Sequence, residues 1–356
     1  MSVQLRYACE LQARLCHENG SPTWAAIVEE IANQLDDEAN DVVDLLRSDL
    51  QDPVESAVLL RLLGAVHRLL IAGQSDELAQ YLPSLGGEVD VLRVVPAFFA
   101  FASAHKAAIR EGMQAGVQTN EVGRAAVLSA GLRHLTREFG LPIQLLEVGC
   151  SAGLNLHLDR YRINTTADSW GPADSAVVLE PDFDGALLGA EVTIQSRIGC
   201  DLAPLDARST ADGEKLRSFI WPEDTARLAR LEAALSIFES VQIDTCPATP
   251  WLRQRLAARC PGVITVVMHS IVMPYLTDHE RQQFEECIAD AGRRATSDAP
   301  LAWLRMEPSD EWGSVILELS TWPKGLHEVL ATCTPHGGQI AWRDLRPSTS
   351  VGDGKP

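Results

Sequence analysis

The sequence predicts an α/β protein whose open, mainly parallel sheet follows an all-helical N-terminal region. Three observations predict it. Apolar residues recur at helical spacing up to about residue 140, short apolar strands alternating with helices follow, and the first of those strands runs directly into a turn of small residues. At 356 residues, 46% hydrophobic and 22% charged, the chain is large enough for one big domain or two ordinary ones, and its composition is globular.

The helical signal is carried by Trp24, Ile27, Val28, Ile31 and Leu35, then by Val58, Leu59, Leu62, Leu63, Val66, Leu69 and Leu70. His67 lies inside that second run and reads as a satisfied core histidine. Helices over 92–112 and 120–139 come next, the latter with Asn120 as N-cap and Glu121 behind it. From Leu141 to Gly149 the chain has the short, apolar, β-branched character of a buried strand. Further strands are predicted at 191–198, 239–243, 262–268, 301–306, 314–320 and 339–343, and helices at 222–238, 250–259, 278–293 and 324–333. The link between 301–306 and 314–320 is too short for a crossover helix, so one late strand should run antiparallel. The domains expected are a helical region over 1–140, an α/β domain over 141–345 with an insertion at about 160–189, and a loose tail over 346–356.

Lys and Arg number 30 against 49 Asp and Glu, a net charge of −19, and a field of that sign repels phosphate. Neither nucleic acid nor an anionic membrane is expected as a partner; a small-molecule substrate is. The first hundred residues hold 16 acidic and 6 basic side chains, either a solvated acidic surface or a docking face for a basic partner. The 8 cysteines are scattered without zinc spacing, so no metal is expected, and reduced thiols suit a cytoplasmic protein. No leader-like segment or long apolar run argues otherwise. Oligomeric state leaves no signal.

The most informative run is Glu147-Val148-Gly149-Cys150-Ser151-Ala152-Gly153-Leu154-Asn155-Leu156. A strand ends in an acid, small residues turn, and a helix is expected to follow, which is how a doubly wound sheet presents its first ligand site. Gly149 and Gly153 leave room for a ligand against the backbone, and the helix start offers free N–H groups. The G-x-G-x-x-G pattern of pyrophosphate binding is absent; an acidic E-x-G-x-x-x-G turn suits a ligand without phosphate, such as S-adenosylmethionine. Asp201, followed by Leu202 at the second strand end, is placed to accept ribose hydroxyls, and Asp244 at the third to accept the adenine amino group. These three acidic strand ends, in order, resemble the class I S-adenosylmethionine-dependent methyltransferases. One departure is that Glu147 and Asp201 are 54 residues apart, where about 20 is usual.

At finer grain the chain resembles the bacterial domain-of-unknown-function family 2332. The stretches that carry the resemblance are Gln118 to Arg124, Glu147 to Leu156, Arg197 to Leu202, His269 to Leu276 and Trp303 to Pro308. This resemblance implies a Rossmann-like methyltransferase fold and no established catalytic residue; the likeness of the strand ends to class I methyltransferases is what implies S-adenosylmethionine as cofactor, with Glu147, Gly149, Ser151, Gly153, Asp201, Leu202 and Asp244 around it. It implies no acceptor.

The remaining candidates, Asn155 apart, have two readings each. His269, expected just beyond a strand, is either the general base of methyl transfer or a histidine that shapes its loop. Asn120, Glu121 and Arg124 either reach a substrate over the pocket or form a cap and surface network; Asn155 is expected to reach the substrate. Glu307 either lines the pocket or is a structural acid. Gly149-Cys150-Ser151-Ala152-Gly153 also fits the G-x-S-x-G elbow of a serine hydrolase, with Ser151, then Asp201 or Asp244, then His269 or His336 as triad. A ligand-binding module without turnover is a third reading, because fold does not fix function.

Overall fold

The computed structural model of the chain describes residues 2–48, 52–74, 77–187, 189–311 and 313–343, so the loose tail expected at 346–356 lies outside the described residues. Helices α1 (Ser2–Glu18), α2 (Pro22–Asn33), α3 (Asp41–Arg47), α4 (Val58–Ile71), α5 (Val91–Ala104) and α6 (Lys106–Gly112) come first. A 3₁₀ turn at Val122–Arg124 enters α7 (Ala125–Phe139), and strand β1 (Ile143–Val148) follows. After a 3₁₀ segment at Leu154–Arg160 come the short strands β2 (Arg162–Asn164), β3 (Ser169–Trp170), β4 (Val178–Leu179) and β5 (Asp182–Asp184). Then follow β6 (Ile194–Asp201), α8 (Thr210–Ser218), α9 (Thr225–Ser236), β7 (Gln242–Thr245) and α10 (Ala248–Arg255). The chain continues through β8 (Ile264–Ser270), α11 (Asp278–Arg293), β9 (Leu301–Pro308), β10 (Val315–Trp322), β11 (Leu326–Cys333) and β12 (Gln339–Trp342).

Two compact units result: Met1–Asn120 with Leu205–Leu235, and Glu121–Pro204 with Ser236–Pro356. In the first, the apolar face of α2 (Trp24, Ile27, Val28, Ile31) shares one core with Leu62 and Val66 of α4 and with Phe98 and Ala102 of α5. Gly64 lets α4 approach Phe219 at the end of α8, since a Cβ there would lie 2.6 Å from that ring. His67 is buried, with its ring bonded to Ser84 Oγ (2.9 Å) and Ser218 O (3.2 Å).

Burial lowers the His67 pKa from 6.5 to about 4, so on acidification the unfolded chain takes up a proton that the folded chain refuses. Stability is therefore lost as pH falls through that window. Between pH 7 and pH 5 the expected loss is about 2 kcal/mol, and urea unfolding of a His67→Gln variant should show a correspondingly shallower dependence over that range. Equal slopes in parent and variant would contradict this.

The second unit is built on a sheet of order β5-β12-β11-β10-β9-β8-β1-β6-β7. From β7 through β9 the strands are parallel; β10, β11 and β12 alternate in direction, and β5 closes the far edge parallel to β12. Neighbouring side chains on β9 show how both faces are covered. Leu304 meets α7, where a Cβ on Gly131 would lie 2.8 Å from it, whereas Trp303 packs on Phe284 of α11 at 6.1 Å between rings. The segment expected as an insertion forms the small sheet β3-β2-β4, tied to α7 by a hydrogen bond from Trp170 Nε1 to Ser129 Oγ (2.9 Å). Among the described residues no single helix is long and apolar enough to cross a membrane.

Several elements differ from expectation for physical reasons. The segment 324–333 is a strand, β11, because Gly325 (φ 68°) folds the chain back so that Leu326 to Cys333 pairs along β10. The 92–112 helix breaks at His105 into α5 and α6, bent by 89°. Before α7 the capping side chain is Glu121, not Asn120: Glu121 accepts from Gly123 N, and Asn120 closes the first unit. Strand β8 runs on to Ser270, so His269 is inside the sheet, paired with Arg305 of β9. Residues 205–235, between two strands of the sheet, and α7, counted with the helical region by periodicity, each pack with the opposite unit from the one their order suggests.

Candidate active site

The sheet order reverses at β1, whose neighbours β6 and β8 lead away on either side, and open α/β sheets bind ligands at the carboxyl ends beside such a point. The turn after β1 holds Gly149 (φ 66°), Ser151 (φ 51°) and Gly153 (φ 77°) in left-handed conformations. Four of its N–H groups are consumed locally. Gly149 N and Cys150 N donate to Cys200 O (2.8 and 3.2 Å), Gly153 N to Cys150 O (2.7 Å), and Ser151 N to Asp201 Oδ2 (2.9 Å). The glycines fit the turn to its own neighbours, for a Cβ would lie 2.7 Å from Val272 at Gly149 and 3.0 Å from Ile243 at Gly153. The helix expected next is a 3₁₀ segment broken at His157.

What this turn leaves over is acceptor atoms. Glu147 Oε2, Ser151 Oγ and Asn155 Oδ1 are buried without a hydrogen-bond partner, although native interiors leave few polar groups in that state. Glu147 is 3% exposed; burial first, and the Asp201 carboxylate second, push its pKa up to about 8 against the pull of Arg124, so the carboxyl holds its proton at neutral pH. Glu147 pairs with Gly199 on β6, and Asp201, two residues on, shares that face. Asp201 also accepts from Ala203 N (2.9 Å), which leaves lone pairs on both oxygens.

Around these groups, Asn155 Nδ2 donates to Glu121 O (3.3 Å), and the buried Arg124 ties the loop after β11 to the end of β8, donating to Pro335 O (2.9 Å) and to Ser270 O and Oγ (both 3.2 Å). Glu147, Ser151, Asp201, Asn155, Glu121 and Arg124 thus gather at one end of β1. Leu202 is 72% exposed just beyond β6. Asp244 is committed elsewhere. Against the effect of burial, hydrogen bonds from Gln242, Arg255 and Trp251 hold its carboxyl below the ordinary range.

His269 and Glu307 lie on the α11 face. Trp303 Nε1 donates to His269 Nε2 (2.8 Å), which fixes the tautomer, and His269 Nδ1 donates to Glu307 Oε1 (2.6 Å). Glu307 also accepts from Val272 N (2.9 Å) and Met273 N (3.2 Å), holding the loop in which Ile271 is left-handed (φ 55°). His269 is 0% exposed and has both ring nitrogens engaged, so the base expected there presents no nitrogen to a substrate. Its geometry is that of the loop-shaping alternative. With Ser151 Oγ unbonded, no imidazole is in place to activate a serine. Among the described residues no group of three His, Cys, Asp or Glu is set to hold a metal.

Trp303 and Val272, which meet His269 and Gly149, carry no mark of a role in the sequence. Alternation along β9 puts Trp303 and Glu307 on one face, but their meeting with His269 depends on a register that the sequence does not carry.

Residues 6–342 match the family described as an uncharacterized protein conserved in bacteria (DUF2332), and the chain belongs to that family. No match is found among curated proteins.

Proposed function

We propose that this protein binds S-adenosylmethionine at the carboxyl edge of its sheet and catalyses methyl transfer to a small-molecule acceptor. The observation that carries the reading is the trio of orphaned buried oxygens on Glu147, Ser151 and Asn155, beside a turn in which four N–H groups already have acceptors. Such a site favours donors and positive charge from its ligand over phosphate. The five parallel strands support it as well, because their chain order across the sheet, 3-2-1-4-5, is that of doubly wound nucleoside-binding domains. On this reading Glu147 and Asn155 receive the ligand's ammonium group, and the free lone pairs of Asp201 receive its ribose hydroxyls. Bound there, the sulfonium would supply an electrophilic methyl group. The chain's own part is orientation: Arg124 and Glu307 fix the loops that border the site.

Calorimetric titration with adenosylmethionine, its demethylated product and NAD in parallel tests the reading. The two sulfur compounds are expected to bind, with release of up to one proton at pH 7 as the ammonium displaces the Glu147 proton, visible as a dependence on buffer ionisation heat. Asp201→Ala should weaken binding by about 1–3 kcal/mol. Saturable NAD binding without a response to adenosylmethionine would overturn the proposal.

A further inference from the structure

The second unit holds a recess of about 440 Å³ lined by Ser129 and Arg133 of α7, Leu158, Arg162, Trp170, Pro172 and Glu191, among others. That volume suits a small organic ligand. Its Glu191 end is distant from the carboxyl edge. Glu191 and Val192 lead into the amino end of β6, whereas Asp201 ends it, a separation of about 25 Å at strand rise.

The charges in the recess do not cancel locally. Asp159 is closed by Arg197, which donates to both its oxygens (2.7 and 2.8 Å), and Arg133 reaches Asp168 (3.3 Å) while lying over the Trp170 ring at 5.1 Å. Arg162 is held by neutral acceptors alone: Nε donates to Asn164 Oδ1 (2.9 Å), Nη1 to Gly171 O (3.0 Å), and Nη2 to Ser169 Oγ. A guanidinium has five N–H donors, so one hydrogen remains on each terminal nitrogen for a carboxylate to accept. Glu191 forms no hydrogen bond or ion pair among the described residues, though it adds to the field at Arg133. The wall between these charges is apolar, from Leu158, Trp170, Pro172 and Val192.

We infer that this recess is a second ligand site, for a zwitterionic amino acid with an apolar side chain: its carboxylate on Arg162, its ammonium toward Glu191, its side chain against Trp170. One unpaired cation and one unpaired anion in the same recess match a dipolar ligand better than a polyanion.

Three probes of one shape test the inference by calorimetry on the full chain: L-phenylalanine, its amide, which lacks the carboxylate, and 3-phenylpropionate, which lacks the ammonium. Phenylalanine should bind at least about tenfold more tightly than either of the others. Arg162→Gln should abolish binding, and Glu191→Gln, an exposed position whose change leaves the fold intact, should reduce phenylalanine to the level of phenylpropionate. Excess adenosylmethionine should not displace phenylalanine, which separates this site from the one proposed above. No heat with phenylalanine, equal binding of the amide, or unchanged affinity in Glu191→Gln would each overturn the inference.

Discussion

Replacing Glu307 with alanine is expected to destabilise the fold by about 3–5 kcal/mol, because three buried donors lose their acceptor at about 1–3 kcal/mol each, less whatever water entering the space recovers. The 7% exposed carboxylate accepts from His269 Nδ1, Val272 N and Met273 N, and alanine would strand all three donors away from water. The left-handed Ile271 would lose the contacts that hold it, and Val272 its anchorage beside Gly149. Glu307→Gln keeps one acceptor oxygen but turns an N–H toward a donor, so an intermediate loss of about 1–3 kcal/mol is expected. Urea midpoints of the three proteins measure this. An alanine variant within about 0.5 kcal/mol of the parent, the range of an ordinary surface change, would show that the network carries no stability.

Glu147→Gln should change how stability depends on pH. In the folded chain this carboxyl titrates at about 8, against 4.5 unfolded. Between those values the unfolded chain has released a proton that the folded chain keeps, so stability falls as pH rises through the window. Fully expressed, the difference is on the order of 4–5 kcal/mol, reduced by whatever water enters the site. Glutamine has nothing to titrate. The variant should overtake the parent in urea unfolding at pH 9 and lose that advantage at pH 5, while its affinity for adenosylmethionine drops. Parallel pH profiles would mean that Glu147 is ionised in the folded protein.

Where local chemistry decides, the sequence is legible. Helix α11 spans the predicted 278–293 because Thr277 and Glu280 form a reciprocal cap in front of an amphipathic run. Strand β1 is legible because a central parallel strand is apolar almost throughout, which makes its terminal Glu147 conspicuous. Where a distant partner decides, it is not. Leu326 to Cys333 carries a helical pattern, and only the facing strand β10 makes it extended. His269 looks like an available base until Trp303 and Glu307, more than thirty residues on, take both its nitrogens. The segment Leu205–Leu235 lies between two strands of the sheet in chain order, and nothing local to it tells that it packs with the leading helices.

That last feature has a consequence for synthesis on the ribosome. The core around Gly64 and His67 lacks Phe219 and Ser218 until the segment Leu205–Leu235 has been made, after β1 and β6 have already emerged. At about 5–20 residues per second, the leading helices wait on the order of ten seconds with that surface uncovered. During this interval the leading helices can gather their shared core, but the face of α4 around Gly64 and His67 stays open to water, a natural target for a ribosome-associated chaperone.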